Sequence, residues 1–166
     1  MEKIENLKKI FKKERIDGYI IPKNDEFFSE YIPKHNDRLN FISNFSGSFG
    51  FALILKNKNY LFVDGRYTLQ ASNQSGKHFE IITIPEKMPL DILKKKKISI
   101  GFDPNLFTRK SLSIFFDKSE CRFKPIVRNL IDNIWKRKIK NNKNRFFILP
   151  RRSVSEKYES KINKII

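Results

Sequence analysis

The sequence predicts an α/β domain of about five or six strands with helices between them. An amphipathic segment leads at once into the wholly apolar run Tyr19-Ile20-Ile21, two further apolar runs are joined by a short polar one, and runs of strand length then alternate with helical spacing to about residue 135. The 166 residues suit one ordinary domain, and a chain that is 39% hydrophobic can build a packed core.

Ile4, Leu7, Ile10 and Phe11 share a face with charges opposite, so residues 2–15 read as a surface helix, stopped by Gly18. Tyr19–Ile21 is a buried strand ended by Pro22. Asn24-Asp25 is expected to cap a short helix reaching Tyr31, whose acids Asp25, Glu26 and Glu30 form a solvated face beside Lys23. Pro33–Asp37 is a polar loop, and Arg38 opens a short apolar turn. Phe49–Leu55 and Tyr60–Val63 make a hairpin around Lys56–Asn59. Then follow a helix from Arg66 to Gln74, a strand from His78 to Ile84, a helix from Pro89 to Lys95 and a buried strand from Ile98 to Phe102 ending at Asp103-Pro104. Thr108 caps a helix over 109–117, Cys121–Val127 is the last strand, and Leu130–Trp135 a closing helical turn with Trp135 in the core. Beyond it KRKIKNNKNR reads as a solvated connector, FFILP as a new strand, and Val154, Tyr158, Ile162 and Ile165 have helical spacing. These features predict a first domain at 1–138 and, over 139–166, a basic linker and the start of a truncated second domain.

The formal charge is +17, but 25 Lys, 23 Ile, 16 Phe and 15 Asn with alanine only at 52 and 71 mark a preference for A/T-rich codons. Part of the lysine excess therefore reflects base composition rather than a partner. Residues 136–166 alone carry net +9. Such a tail attracts phosphate backbones, yet a solvated linker has the same composition and no recognition motif accompanies it, so nucleic acid is not the expected partner. MEKIENLKKIFKK has charges throughout, and no run approaches the roughly 20 apolar residues of a membrane span, so neither a secretory signal nor a membrane contact is expected. A single Cys121 excludes an internal disulfide framework and a multi-cysteine metal site and fits the reducing cytoplasm.

Two clusters stand out from core patterning. Gly47 and Gly50 flank Ser48 at the entry to a strand, where glycine permits a tight bend; the stretch lacks the Gly-Lys-Ser/Thr of a phosphate loop and the five-residue pattern of a nucleophile elbow. In VDGRY, Asp64-Gly65 turns out of a strand and Arg66-Tyr67 opens a helix with Asp64 as its cap. Arg66, or Arg38, could present its planar guanidinium to a carboxylate at an interface or pocket. His35 and His78 have no ligand at metalloprotease spacing, and no catalytic or metal-binding residue is assigned.

Taken in order, DGYIIPKNDEFFSEYIP at 17–33, RLNFISNFSGSFGFALI at 38–54, LFVDGRYTLQA at 61–71, IGFDP at 100–104 and NLIDNIW at 129–135 make residues 1–140 similar to the N-terminal domain of the Xaa-Pro aminopeptidases (aminopeptidase P) of the creatinase/prolidase superfamily. The resemblance implies a mixed sheet with helices on both faces and a place in a cytosolic enzyme that removes the residue preceding proline. It implies two divalent metal ions, usually manganese, held by two Asp, one His and two Glu of a separate C-terminal domain, so no cofactor belongs to these residues. It also implies a non-catalytic part: pairing into a homodimer or with the parent catalytic domain, and control of access to the active-site mouth, with peptide substrate met only together with that domain. Arg38, Arg66 and Tyr67 then read as interface or mouth-facing residues, and Gly47, Gly50, Asp64 and Gly65 as structural ones. Asn44 departs from the family's frequent Gly, and Arg151-Arg152 from an expected Gly- and Ser-containing turn. The competing readings are a free-standing protein-interaction module and a nonspecific nucleic-acid contact through the basic tail.

Overall fold

Six strands form one mixed sheet in the order β4-β3-β2-β1-β5-β6 in the computed structural model, which describes residues 1–137 and 147–166. In chain order the elements are α1 (Glu2–Glu14), β1 (Gly18–Pro22), α2 (Arg38–Ser43), β2 (Phe51–Leu55), β3 (Asn59–Asp64), a 3-10 turn (Gly65–Tyr67), α3 (Thr68–Ser75), β4 (Glu80–Ile84), α4 (Pro89–Leu93), β5 (Ser99–Phe102), α5 (Arg109–Phe116), β6 (Arg122–Pro125), α6 (Leu130–Ile134) and α7 (Tyr158–Asn163). β1 pairs antiparallel with β2 and β2 with β3, whereas β3–β4, β1–β5 and β5–β6 are parallel.

The central strands β1 and β2 are buried on both faces, which is why they read as unbroken apolar runs, while the edge strands β4 and β6 are only partly covered. Side chains alternate between two cores. Tyr19, Ile21, Ala52, Ile54, Leu61 and Val63 face α1, α2, α3 and α6, while Ile20, Leu53, Phe62 and Ile100 face α4 and α5. Helices therefore cover both faces, as the resemblance implied. Trp135 stacks on Phe41 at 4.6 Å between centroids, at the edge of the first core.

Four expectations need correction. Gly18 does not stop α1; Arg15 does, in the left-handed region at φ 52, while Gly18 opens β1 because a Cβ there would lie 2.5 Å from Leu55 Cδ2. The segment after Asn24-Asp25 is a turn, not a helix: Asp25 is buried and its Oδ1 accepts from the N–H groups of Phe27 (3.1 Å) and Ser29 (2.9 Å), with Phe28 at φ 53. Its acids are accordingly not one solvated face. RLNFIS, expected as a turn, is the helix α2, capped by Asp37, whose Oδ1 accepts from Asn40 N–H at 3.0 Å. Phe147–Pro150 form no strand, having no ladder partner among the described residues. The expected domain boundary falls largely on 138–146, outside the described residues.

Candidate functional site

β1, β3 and β5 run in one direction and β2 in the other, so the segments that follow β1, β3 and β5 and the one that precedes β2 gather at one end of the sheet. Every motif residue singled out in the sequence lies on these segments or, for Arg38, at the start of α2 beside them. They form two separate groups.

The first is built on Arg38, which is 3% exposed. Its Nε donates to Asp132 Oδ1 and its Nη2 to Asp132 Oδ2, both at 2.9 Å, and Nη2 also donates to Glu26 Oε1 at 2.5 Å. Buried Nη1 has no hydrogen-bond partner among the described residues. The fork thus ties the loop after β1 to α6 through α2. Arg137 adds an ion pair to Asp132 at 2.5 Å and donates to His35 O, so the same cluster also ties down the segment that follows α6. Burial opposes charge on Arg38, but the two carboxylates outweigh it and raise its pKa. Burial raises and the Arg38 hydrogen bond lowers the Glu26 carboxyl, with a net result below the usual range. Nearby, Asn129 donates to buried Asp103 at 2.8 Å, and burial pushes the Tyr19 phenol well up.

The second group is exposed. Asp64 accepts from Arg66 N–H at 3.0 Å, capping the 3-10 turn, and its Oδ2 accepts from Arg66 Nη2 at 2.7 Å, which lowers the carboxyl below its ordinary value. The Arg66 guanidinium lies 5.3 Å from the Tyr67 ring centroid, and Tyr67 Oη shares a 2.7 Å hydrogen bond with Ser48 Oγ. Gly47 is pressed between Phe45 and Tyr67, where a Cβ would lie 2.9 Å from Tyr67 Cδ1. Gly50, at φ 153, packs on the Phe62 carbonyl. Phe27, Phe28, Tyr31 and Phe49 are exposed on segments of the same end. A cleft of about 80 Å³ lined by Pro22, Lys23, Asn24, Phe49, Gly50, Phe51, Phe107 and Ser111 accommodates one side chain rather than a peptide.

Among the described residues the exposed group presents hydrogen-bond donors and aromatic rings to solvent. Arg38 is committed to internal carboxylates, whereas Arg66 keeps its side chain 72% exposed and Tyr67 stands beside it. His35 and His78 lie on opposite ends of the sheet. Among the described residues no three His, Cys, Asp or Glu side chains converge, so these residues do not fit a two-metal centre. Sequence reasoning missed Glu26 and Asp132 as partners of Arg38, because 12 and 94 positions separate them from it and no period links them.

Residues 3–127 match the family model of the creatinase/prolidase N-terminal domain. A probable Xaa-Pro aminopeptidase P of Coprinopsis cinerea is 32% identical over 174 residues, covering 96% of this chain and 27% of that protein. The X-prolyl aminopeptidase of Caenorhabditis elegans, described as a cytosolic enzyme with a di-nuclear active site, superposes with a TM-score of 0.72 at 29% identity over 81% of this chain and 25% of its own. The isolated N-terminal domain of the cytoplasmic peptidase PepQ of Mycobacterium tuberculosis shares the fold with a TM-score of 0.61 at 17% identity, covering 81% of this chain and 98% of that one. The chain thus spans about a quarter of the length of the whole enzymes it matches. Among the described residues no helix is long and apolar enough to cross a membrane.

Proposed function

We propose that this chain, which belongs to the creatinase/prolidase N-terminal domain family, acts as the non-catalytic first domain of a cytoplasmic Xaa-Pro metalloaminopeptidase. It supports pairing, as a homodimer or against the catalytic domain, and narrows access to the active site. The observation that carries this reading is the coverage: nearly the whole chain aligns with about a quarter of an aminopeptidase P, over a fold shared with a di-nuclear enzyme. In this reading residues 1–138 are the domain, 139–166 begin the next one, and two divalent ions, manganese by expectation, belong to the catalytic domain, where they would polarise the peptide carbonyl and supply hydroxide. The contribution of this chain is the exposed aromatic end of the sheet. Arg66 offers N–H donors beside Tyr67 to a peptide carboxylate or carbonyl, and Phe27 and Tyr31 offer apolar cover.

The test is direct. Purified chain with manganese leaves an Xaa-Pro peptide intact, and light scattering shows a dimer, or a complex once a family catalytic domain is added. Hydrolysis that survives controls for host peptidases overturns the non-catalytic assignment, and a strict monomer that binds no catalytic domain overturns the pairing role.

A further inference from the structure

The opposite end of the sheet carries a different set of side chains. Residues 15–17, 56–58, 76–79, 94–98 and 117–121 meet there, because β1, β3, β4, β5 and β6 all start at that end and β2 finishes there. These segments hold nine Lys and Arg against three acids, Asp17, Asp117 and Glu120, with Arg122 and Glu80 opening the strands beside them. The segments at the first end, residues 23–37, 44–50, 65–67, 85–88, 103–108 and 126–129, hold five Lys and Arg against six acids. A codon preference raises lysine everywhere alike and does not sort it between the two ends of one sheet.

Lys56, Lys58 and Lys97 pair with Asp17, Glu80 and Glu120. Arg15, Lys77, Lys94, Lys95, Lys118 and Arg122 are exposed and make no ion pair among the described residues. The backbone beneath them is knit into one rim. Asp17 N–H donates to Ser99 O at 2.7 Å, Lys56 N–H to Asp17 O at 3.0 Å, Arg122 N–H to Ile98 O at 2.9 Å, and Asn59 Nδ2 to His78 O at 3.0 Å. Across six strands at about 4.8 Å each, this rim is about 24 Å wide. Over that length a nucleic-acid duplex presents roughly 14 phosphate charges.

The rim lacks what other anionic partners need. None of the exposed large hydrophobic side chains lies on its five segments. It therefore offers no apolar anchor for an acidic peptide and no wedge for a bilayer, and His78 is the one exposed ring on these segments. We infer that the basic end of the sheet is a sequence-independent docking surface for the phosphate backbone of a duplex nucleic acid, distinct from the basic tail.

The experiment follows the anisotropy of a short fluorescein-labelled DNA duplex of arbitrary sequence titrated with the full 166-residue chain across a range of salt. The triple variant Lys77→Glu, Lys94→Glu, Lys95→Glu is expected to bind about tenfold more weakly or worse, with a salt slope smaller by about 2.7, near 0.9 for each phosphate no longer neutralised. The Lys→Gln counterpart guards against misfolding: it should unfold at the wild-type temperature and show the same direction of change. The pair Arg151→Glu, Arg152→Glu in the tail should leave the slope nearly unchanged. The inference is overturned if the rim variants keep wild-type affinity and slope while the tail pair loses both. It is equally overturned if poly-glutamate or phosphatidylserine vesicles bind the chain as tightly as the duplex does.

Discussion

Arg38 illustrates how a motif residue can serve the frame rather than a ligand. Its guanidinium is buried with two carboxylates from distant segments, so neutralising Asp132 leaves the buried cation with Glu26 as its one anionic partner among the contacts of this cluster. Asp132→Asn is expected to lower the unfolding free energy by about 3 kcal/mol, read from urea titration. Arg38→Lys should lose a comparable amount, since an ammonium cannot reproduce the two-pronged contact. The lowered carboxyl groups of this region, with Asp17 and Asp64 elsewhere, also make the fold sensitive to acid. Burial pushes Asp25 up, but the N–H groups of Ser29 and Phe27 outweigh it and hold the group below its ordinary value; Glu26 is likewise lowered. A depressed carboxyl stabilises the fold fully above its unfolded pKa, about 3.9 for Asp and 4.3 for Glu, and that contribution is lost as pH falls through the folded value. Melting temperatures should therefore fall from about pH 4 downward, and Asp25→Asn should flatten that limb. The sequence singled out Arg38 but placed Asp25 among solvated acids. A short carboxylate that folds back on the N–H groups two and four positions on leaves no trace in charge patterning.

The elements divide by how locally they are specified. β1 and β2 were legible as apolar runs buried along their whole length and β3 nearly so, β4, β5 and β6 only as shorter, partly buried stretches of strand length, and α5 because Thr108 Oγ1 accepts from Ser111 N–H at 3.0 Å, a cap visible in the sequence. α2 was not, since six residues are too few to show a period; its cap and the burial of Leu39 and Ile42 decide the helix. The glycines of the second group separate in the same way. Gly47 and Gly50 have no room for a methyl group, and Gly50 also has a positive φ, whereas a Cβ on Gly65 meets nothing within 4 Å. Gly47→Ala and Gly50→Ala should each cost roughly 1–3 kcal/mol, and Gly65→Ala should be neutral or stabilising by about 0.5 kcal/mol. Thermal melts of the three variants check this ranking. Only the surrounding packing tells them apart, so the sequence grouped Gly65 with its neighbours.

At the scale of the molecule the mixed α/β sheet was legible from pattern, and the family from the order of its motifs, but the division of the surface was not. Which loops share an end of the sheet depends on strand direction, and a run of elements in sequence does not state direction. That geometry places the aromatic and the cationic loops at opposite ends, so one partner can be held without covering the other. The position of β1 has a further, kinetic consequence. β2 and β3 close across a three-residue turn, with Ile54 opposite Asn59, whereas β1 lies mid-sheet and must also meet β5, 82 residues later, with Gly18 opposite Ile100. The hairpin is the cheap first step in loop-closure entropy, and β5 docks late. Leu61→Ala, opposite Ala52 in the hairpin, should chiefly slow refolding and Ile100→Val chiefly speed unfolding, a contrast that stopped-flow chevrons resolve. On the ribosome, the Tyr19-Ile20-Ile21 segment emerges before any strand that can cover it, which makes the first strand of this domain the natural early client of a chaperone.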